Sequence, residues 1–394
     1  MALDMGGSNV RVTKYLLQGN GVLEVVQEVK HAFPSEYMSG TADQVFGFLA
    51  ECIKEVNPEA GVPLGFTFSF PSEQTAINHS KLVIWTKGFS ASGCVGEDSV
   101  ELLEKALAKC GIDMKVTAIC NDTVGTLISR SYNDPKTAVG IILGTGCNAA
   151  YIENAERITK ADVASTSGKL MIINMECGAT GDGHPEILPQ LPFDLELDPI
   201  TPNAGHQRLE KMMSGFYLGE LTRRWCVKLF EEKKLFVGQA GTPAFFTQPL
   251  SFDSKYCSVI LDDESEDLVA VERILAQFQI ENTSVEDRKQ VKRIVHFIVL
   301  RSARLMASFV HAIYTHMGEE YNGCTVGVDG SVYKYMPHYQ EWVRKAFEML
   351  GRGDIEIGLA DDGSSIGAAL IAYGVANKLC VCSLNKEYSQ VIHR

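Results

Sequence analysis

Four apolar, β-rich runs in this chain end in a glycine turn: "LDMGGSNVRV" (3–12), "VGIILGTGCNAAY" (139–151), "CTVGVDGSVY" (324–333) and "LADDGSSIGAAL" (359–370). Glycine lets the backbone turn tightly, and the amides it leaves free at a strand end are where α/β proteins hold phosphate oxygens. Helical patterns separate the runs, so strands alternate with helices and the class is α/β. At 394 residues the chain has room for two lobes, each with its own core.

Between the turns the pattern predicts further elements. "VPLGFTFSFP" (62–71) reads as a strand stopped by Pro71, which has no amide to continue a ladder. A helix is predicted from Ser99 as N-cap to Gly111 as C-cap, then a strand in "MKVTAIC" leading to Asn121-Asp122. Thr180 to Pro202, rich in Pro, Asp and Gly, reads as an irregular surface connection. A long helix follows from Glu286 to Met317, with Arg293, Arg301 and Arg304 on a solvated basic face. Another covers Pro337 to Leu350, and a closing helix follows the last turn.

Composition narrows the function classes. With 45% apolar and 22% charged residues the chain is ordinary globular material, and its net charge of −13 opposes binding to nucleic acid or anionic membranes. The expected partners are small molecules. No signal-peptide order opens the sequence, so a cytoplasmic protein is expected and the Asn-x-Ser/Thr matches at Asn78, Asn121 and Asn282 read as coincidence. Its 11 cysteines lack a CxxC pair and read as reduced thiols. His184, His206, His296, His311 and His316 have no metal-ligand spacing.

"GTGCNA" (144–149) formally matches the dinucleotide fingerprint, with Asp162 at a tolerable distance for a ribose contact. That reading leaves the other three glycine turns unexplained, and no Gly-x-x-x-x-Gly-Lys-Ser/Thr is present for a P-loop. Two hairpins carrying Gly, Ser or Thr, and Asn fit a different use, as opposed clips for triphosphate oxygens. Transferred phosphoryl groups need positioning and charge neutralisation above all. Asp4, before the first clip, is a candidate Mg2+ anchor acting through water, or an acid that caps the turn.

In order along the chain, "LDMGGSNVRV", "LGFTFSFPSEQ", "IWTKGF", "CNDTVGTL", "LGTGCNAAY", "NMECG", "AGHQRLEKMMSGFYLGE", "VGVDGSVYK" and "ADDGSSIGAAL" resemble the segments that define eukaryotic hexokinases. The resemblance implies an actin-like ATPase (ribonuclease H-like) fold of two α/β lobes around a deep cleft. The small lobe would be 1–121 plus about 365–394, and the large lobe 122–364. It implies ATP and Mg2+ as cofactors and transfer of the γ-phosphoryl to the 6-hydroxyl of glucose and related hexoses, the first step of glycolysis.

The resemblance assigns the sugar to Ser69, Thr86, Lys87, Asn121, Asp122, Asn148, Glu176, Gln207 and Glu210. Carboxylates and amides suit a hexose, whose hydroxyls each donate and accept. Asp122 corresponds to the catalytic base, with Lys87 and Arg11 supplying positive charge near the transferring group. Phosphate contacts fall on Gly6, Gly7, Ser8, Asn9, Gly144 and Thr145. The adenosine side falls on Gly327, Asp329, Gly330, Ser331, Gly363 and Ser364.

Several positions depart from the family. Ser8 stands for a more usual Thr, Cys147 for Ser, "GSSI" (363–366) lacks a terminal lysine, and "GATGDGHPEI" (178–187) follows only loosely. The family usually has a helical segment before the first hairpin, so a shortened front with exposed apolar surface on the large lobe is expected. Alternatives weighed are a sugar-binding sensor without turnover and an actin- or chaperone-like ATPase without sugar. Zinc-dependent bacterial sugar kinases are disfavoured by the absent cysteine-rich motif. "ADDGSSIGAAL" looks closest to protozoan hexokinases, which makes a peroxisome-like organelle the alternative compartment, although no C-terminal Ser-Lys-Leu is present. Homo-oligomerisation stays open.

Overall fold

The computed structural model describes residues 1–7, 9–19, 21–159, 170–201, 203–239, 241 and 243–379. Ser8 and Asp162, both singled out above, lie outside the described residues. The first part of the chain comprises β1 (Ala2–Met5), β2 (Asn9–Gly19), β3 (Val22–Ala32), α1 (Ser35–Met38), α2 (Ala42–Glu55), β4 (Leu64–Phe68), β5 (Ser72–Ala76), β6 (His79–Leu82), α3 (Ser99–Lys109) and β7 (Val116–Cys120). Then α4 (Asp122–Asn133) leads into β8 (Thr137–Leu143), β9 (Cys147–Asn154), β10 (Leu170–Asn174), α5 (Pro192–Leu197), α6 (Arg208–Met213) and α7 (Gly215–Glu231). There follow α8 (Ala244–Thr247), α9 (Ser254–Asp262), α10 (Val269–Gln277), α11 (Val285–Met317), β11 (Thr325–Asp329), α12 (Ser331–Tyr335), α13 (Tyr339–Met349), β12 (Glu356–Leu359) and α14 (Gly363–Ala376).

Two five-stranded sheets organise these elements, in the orders β3-β2-β1-β4-β7 and β10-β9-β8-β11-β12. Each has two antiparallel pairs joined by a glycine turn and parallel strands beyond, so the two sheets repeat one plan. All five residues of β4 are buried, as an apolar central strand covered on both faces should be. Separate cores lie in the two halves.

A third buried cluster joins the halves through small side chains: Ala2, Ala118, Ala150, Ala368, Ala369 and Ala372, with Leu127 and Ile128. Here α14 crosses α4 and covers β1, β4 and β7. The crossing is tight because glycines line it: a Cβ on Gly367 would overlap the Gly125 backbone, and one on Gly65 would overlap the Ala368 carbonyl. "SIGAAL" is therefore dictated by helix-to-helix distance.

Several sequence expectations need correction. The N-cap of α3 is Asp98, not Ser99; its Oδ1 accepts from the Val100 and Glu101 amides, and Gly111 follows the true C-cap, Cys110. The 180–202 stretch includes α5, whose Phe193, Asp194 and Leu197 are buried. Arg301 is not on a solvated face: it makes a two-pronged ion pair with Asp194 at 2.6 and 2.7 Å, because a buried carboxylate needs a partner of opposite charge. The nine described cysteines are free thiols.

Candidate active site

The Asn121-Asp122 pair sits where β7 ends and α4 begins. Asn121 is the N-cap: its Oδ1 accepts from the Thr123 amide at 2.9 Å, from the Thr123 hydroxyl at 2.7 Å and from Asn148 Nδ2 at 3.3 Å. With the oxygen so occupied, the Asn121 amide offers only its NH2 donors to a ligand. Asp122, in the first turn, accepts from the Thr123 amide with Oδ1 at 2.9 Å. The positive end of the helix dipole lies at this position.

Further polar groups converge on this point. Asn148, from β9, is fixed by the Ala149 and Cys177 amides on its Oδ1, at 2.7 and 3.2 Å. Its Nδ2 donates to Asn174 Oδ1 at 2.8 Å, and Asn174 Nδ2 donates to Glu176 Oε1 at 3.0 Å. Glu176 and Gln207 both adopt left-handed backbone (φ 51° and 57°), each turning the chain at the start of a helical segment. The Asp182 carboxylate holds the latter turn by accepting from the Gln207 and Arg208 amides at 2.9 and 3.0 Å. Glu210, in α6, accepts from the Cys147 amide at 2.9 Å, and burial raises its carboxyl above the usual range. Its side chain lies where a Cβ on Gly146 would be, so the glycine keeps room for the carboxylate.

"FSFP" and "WTKGF" form one unit. Trp85 packs edge-on to Phe70 with ring centroids 4.7 Å apart, stacks on Phe89 and donates its indole N–H to the Ala91 carbonyl at 2.9 Å. This cluster brings Thr86 and Lys87 beside buried Ser69, with Lys87 at φ 57° and Gly88 at φ 84° making the turn. Lys87 Nζ donates to the Ser69 carbonyl at 2.7 Å, while its stem presses on the first glycine hairpin: a Cβ on Gly7 would lie 2.9 Å from Lys87 Cδ. The ammonium's field reaches both Asp4 and Glu210. Lys87 thus links the hairpin to the carboxylate set.

On the hairpin side, Asp4, Gly6, Gly7, Asn9, Arg11 and Lys30 line a cavity of about 140 Å3. Asp4 is pushed up to about 6, first by burial, with the negative field of Asp122 adding to it and the Ser364 hydroxyl, which donates at 2.6 Å, opposing it. A buried carboxylate raised in part by the charge of a second one is a place for a cation, so the donor set fits Mg2+, which takes one or two carboxylates and fills its other positions with water and phosphate. No cluster of three His, Cys, Asp or Glu fit to hold a metal occurs among the described residues. Arg11 is paired with Asp362 at the start of α14, and more loosely with Glu28 at 3.9 Å.

The second hairpin docks on α7: the Gly144 carbonyl accepts from the Gly215 amide at 2.8 Å and the Thr145 carbonyl from Phe216 at 3.1 Å. Gly330 and Ser331 lie alongside it. Asp329 Oδ1 accepts from the Gly330 amide and its Oδ2 from the Gly363 amide, at 2.7 and 3.3 Å, bracing the starts of α12 and α14 together. Gly327 is buried within β11, where a side chain would collide with Arg130 of α4, and Gly363 packs on Thr126, so helix packing also asks for glycine at both positions. The Ser364 hydroxyl is already committed to Asp4.

Sequence reasoning missed Asn174, although it opens the quoted "NMECG", and missed Asp182, Asp362 and Lys30. Lys30 reaches the hairpin only because β3 pairs with β2 in the register Arg11↔Lys30, a signal no short motif contains.

A carboxylate on a helix start among amide donors and acceptors, near a glycine hairpin, defines the class: a two-lobe α/β kinase that phosphorylates a hydroxyl. Comparison with known proteins specifies it: family models described as Hexokinase match residues 1–132 and 138–374. Hexokinase-1 of Schizosaccharomyces pombe is 38% identical over 387 residues, covering 94% of this chain and 78% of that protein. Hexokinase-1 of Arabidopsis thaliana is 38% identical over 393 residues, with the same shares. Among solved structures, the hexokinase from Schistosoma mansoni complexed with glucose superposes with a TM-score of 0.84 at 36% identity, covering 94% of this chain and 84% of that one. The chain belongs to the hexokinase family.

Proposed function

We propose that this chain transfers the γ-phosphoryl group of MgATP to the 6-hydroxyl of glucose and related hexoses, with Asp122 as the base. The observation that carries this reading is the junction at Asn121-Asp122, where one helix start presents donors from a fixed carboxamide next to a free carboxylate oxygen. A hexose set against Asn121, Asn148, Glu176, Gln207 and Glu210 meets both donors and acceptors, and its 6-hydroxyl proton passes to Asp122 as the oxygen attacks. Lys87 supplies positive charge to the transferring group, and Lys30 and Arg11 stand at the cavity by the first hairpin. For Arg11 to reach a phosphate it must exchange its ion pair with Asp362. Bound Mg2+, held by Asp4 through water, would neutralise charge on the phosphates.

Purified protein with glucose and MgATP is expected to form ADP and hexose 6-phosphate. Asp122→Ala is expected to lower the rate by roughly 10²–10⁴-fold, the usual weight of a general base, while calorimetry still registers glucose binding. An unchanged rate would remove Asp122 from the mechanism.

A further inference from the structure

We infer that Asn174 is the positioning residue that sets the orientation of the sugar-binding carboxylate and carboxamide, and so governs hexose affinity; this rests on the hexokinase reading above. Asn174 ends the edge strand β10, just before the left-handed turn at Glu176. One side chain there serves three elements. Its Oδ1 accepts from Asn148 Nδ2 of β9 at 2.8 Å and lies 3.3 Å from the Thr123 hydroxyl of α4, whose hydrogen goes to Asn121 at 2.7 Å, and its Nδ2 donates to Glu176 Oε1 at 3.0 Å.

The chemistry of this bridge admits little else. It needs a donor facing a carboxylate and an acceptor facing an amide and a hydroxyl, about one carboxamide apart. Aspartate at 174 keeps the acceptor and loses the donor, placing a second negative charge against Glu176, whose own field already reaches Glu210. Leucine removes both, leaving Glu176 Oε1 and one Asn148 hydrogen without these partners.

The bridge also holds in place neighbouring amides whose direction backbone donors set. Asn148 has its oxygen on the Ala149 and Cys177 amides, so its nitrogen must face Asn174 and Asn121. Asn121, accepting from that nitrogen, is turned to present its own NH2 to the sugar. Asn174 thus acts through Asn148 on the residue next to the base, and through Glu176 on the far side of the same pocket.

The test is glucose binding by isothermal calorimetry and steady-state kinetics on wild type, Asn174→Leu, Asn174→Asp and Asn174→Gln, with thermal melts to verify folding. Asn174→Leu and Asn174→Asp at pH 8 are expected to weaken glucose binding at least about tenfold, the effect of losing one hydrogen bond to a charged group. The glucose KM should move further than the ATP KM. In Asn174→Asp, a proton shared between residues 174 and 176 restores the missing donor, so glucose affinity is expected to recover as pH falls from 8 to 5.5, which a loss of general stability would not produce. Wild-type affinity for Asn174→Asp at pH 8, or equal shifts of the two KM values, would overturn the role of Asn174 alone. Failure of the wild type to bind glucose would overturn the hexokinase reading and this inference with it.

Discussion

Asp4 shows how the site trades stability for a place to put charge. Its carboxyl is raised from 3.8 to about 6, first by burial and then by Asp122. A carboxyl whose folded value is raised favours the folded state fully below about 3.8 and loses that contribution as pH climbs through about 6. Asp4→Asn keeps an acceptor for the Ser364 hydroxyl and removes the charge. Denaturant titration is therefore expected to find it more stable than wild type by about 3 kcal/mol at pH 7.5, with the difference vanishing near pH 4. Phosphorylation of glucose should fall in the same variant, through the loss of a Mg2+ anchor. A gain in stability that does not depend on pH would contradict the assignment. At this scale the sequence was informative where chemistry and motif coincide: Asn121, Asp122, Asn148, Glu176 and Glu210 do come together. It was uninformative where a residue acts through space. Asn174 gains meaning from three elements that meet only in the fold, and the packing of Gly327 on Arg130 was hidden because packing and phosphate binding ask for the same missing side chain.

The elements themselves were legible in proportion to their burial and their caps. The strands at 64–68 and 116–120, and α11 and α14, carry continuous apolar runs or strong stop signals. By contrast β3 is an edge strand with most of its residues exposed, and so lacks the apolar alternation that marks a strand facing a core. The crossing of α4 and α14 was hidden too, since "SIGAAL" reads as a loop-to-helix start until the opposing Gly125 is known. Two glycine-to-alanine substitutions separate the effects. In Gly47→Ala, within α2, the new methyl meets open space and better helix propensity should stabilise by up to about 1 kcal/mol. In Gly367→Ala, within α14, the same propensity gain is outweighed because the methyl meets backbone of α4, which cannot yield as a side chain would. A net loss of about 1–3 kcal/mol is expected. Urea midpoints moving in opposite directions would bear this out, whereas two increases would mean that the crossing has slack.

For the whole molecule, the two halves meet at this crossing and the small-residue cluster around it, and the groups proposed for the sugar come from both sides of it. Ser69 follows β4 of the first sheet, and Thr86 and Lys87 follow β6 of the separate two-stranded β5-β6 sheet in the first half of the chain, while Asn148, Glu176 and Glu210 belong to the second half. A ligand that touches both sides favours whichever arrangement brings them nearer, so glucose is expected to draw the halves together, exclude water and restrain hydrolysis of ATP until the acceptor is in place. Small-angle scattering should show a smaller radius of gyration with glucose than without. At a glucose concentration of about 100 Kd the stability should rise by about 2.7 kcal/mol, the amount that ligand linkage requires. Asp122→Ala should compact in the same way while failing to turn over, because the proton acceptor is one group among many that hold the sugar. An Asp122→Ala protein that binds glucose without compacting would mean that the base itself closes the cleft, and that binding and closure are not separable as these contacts require.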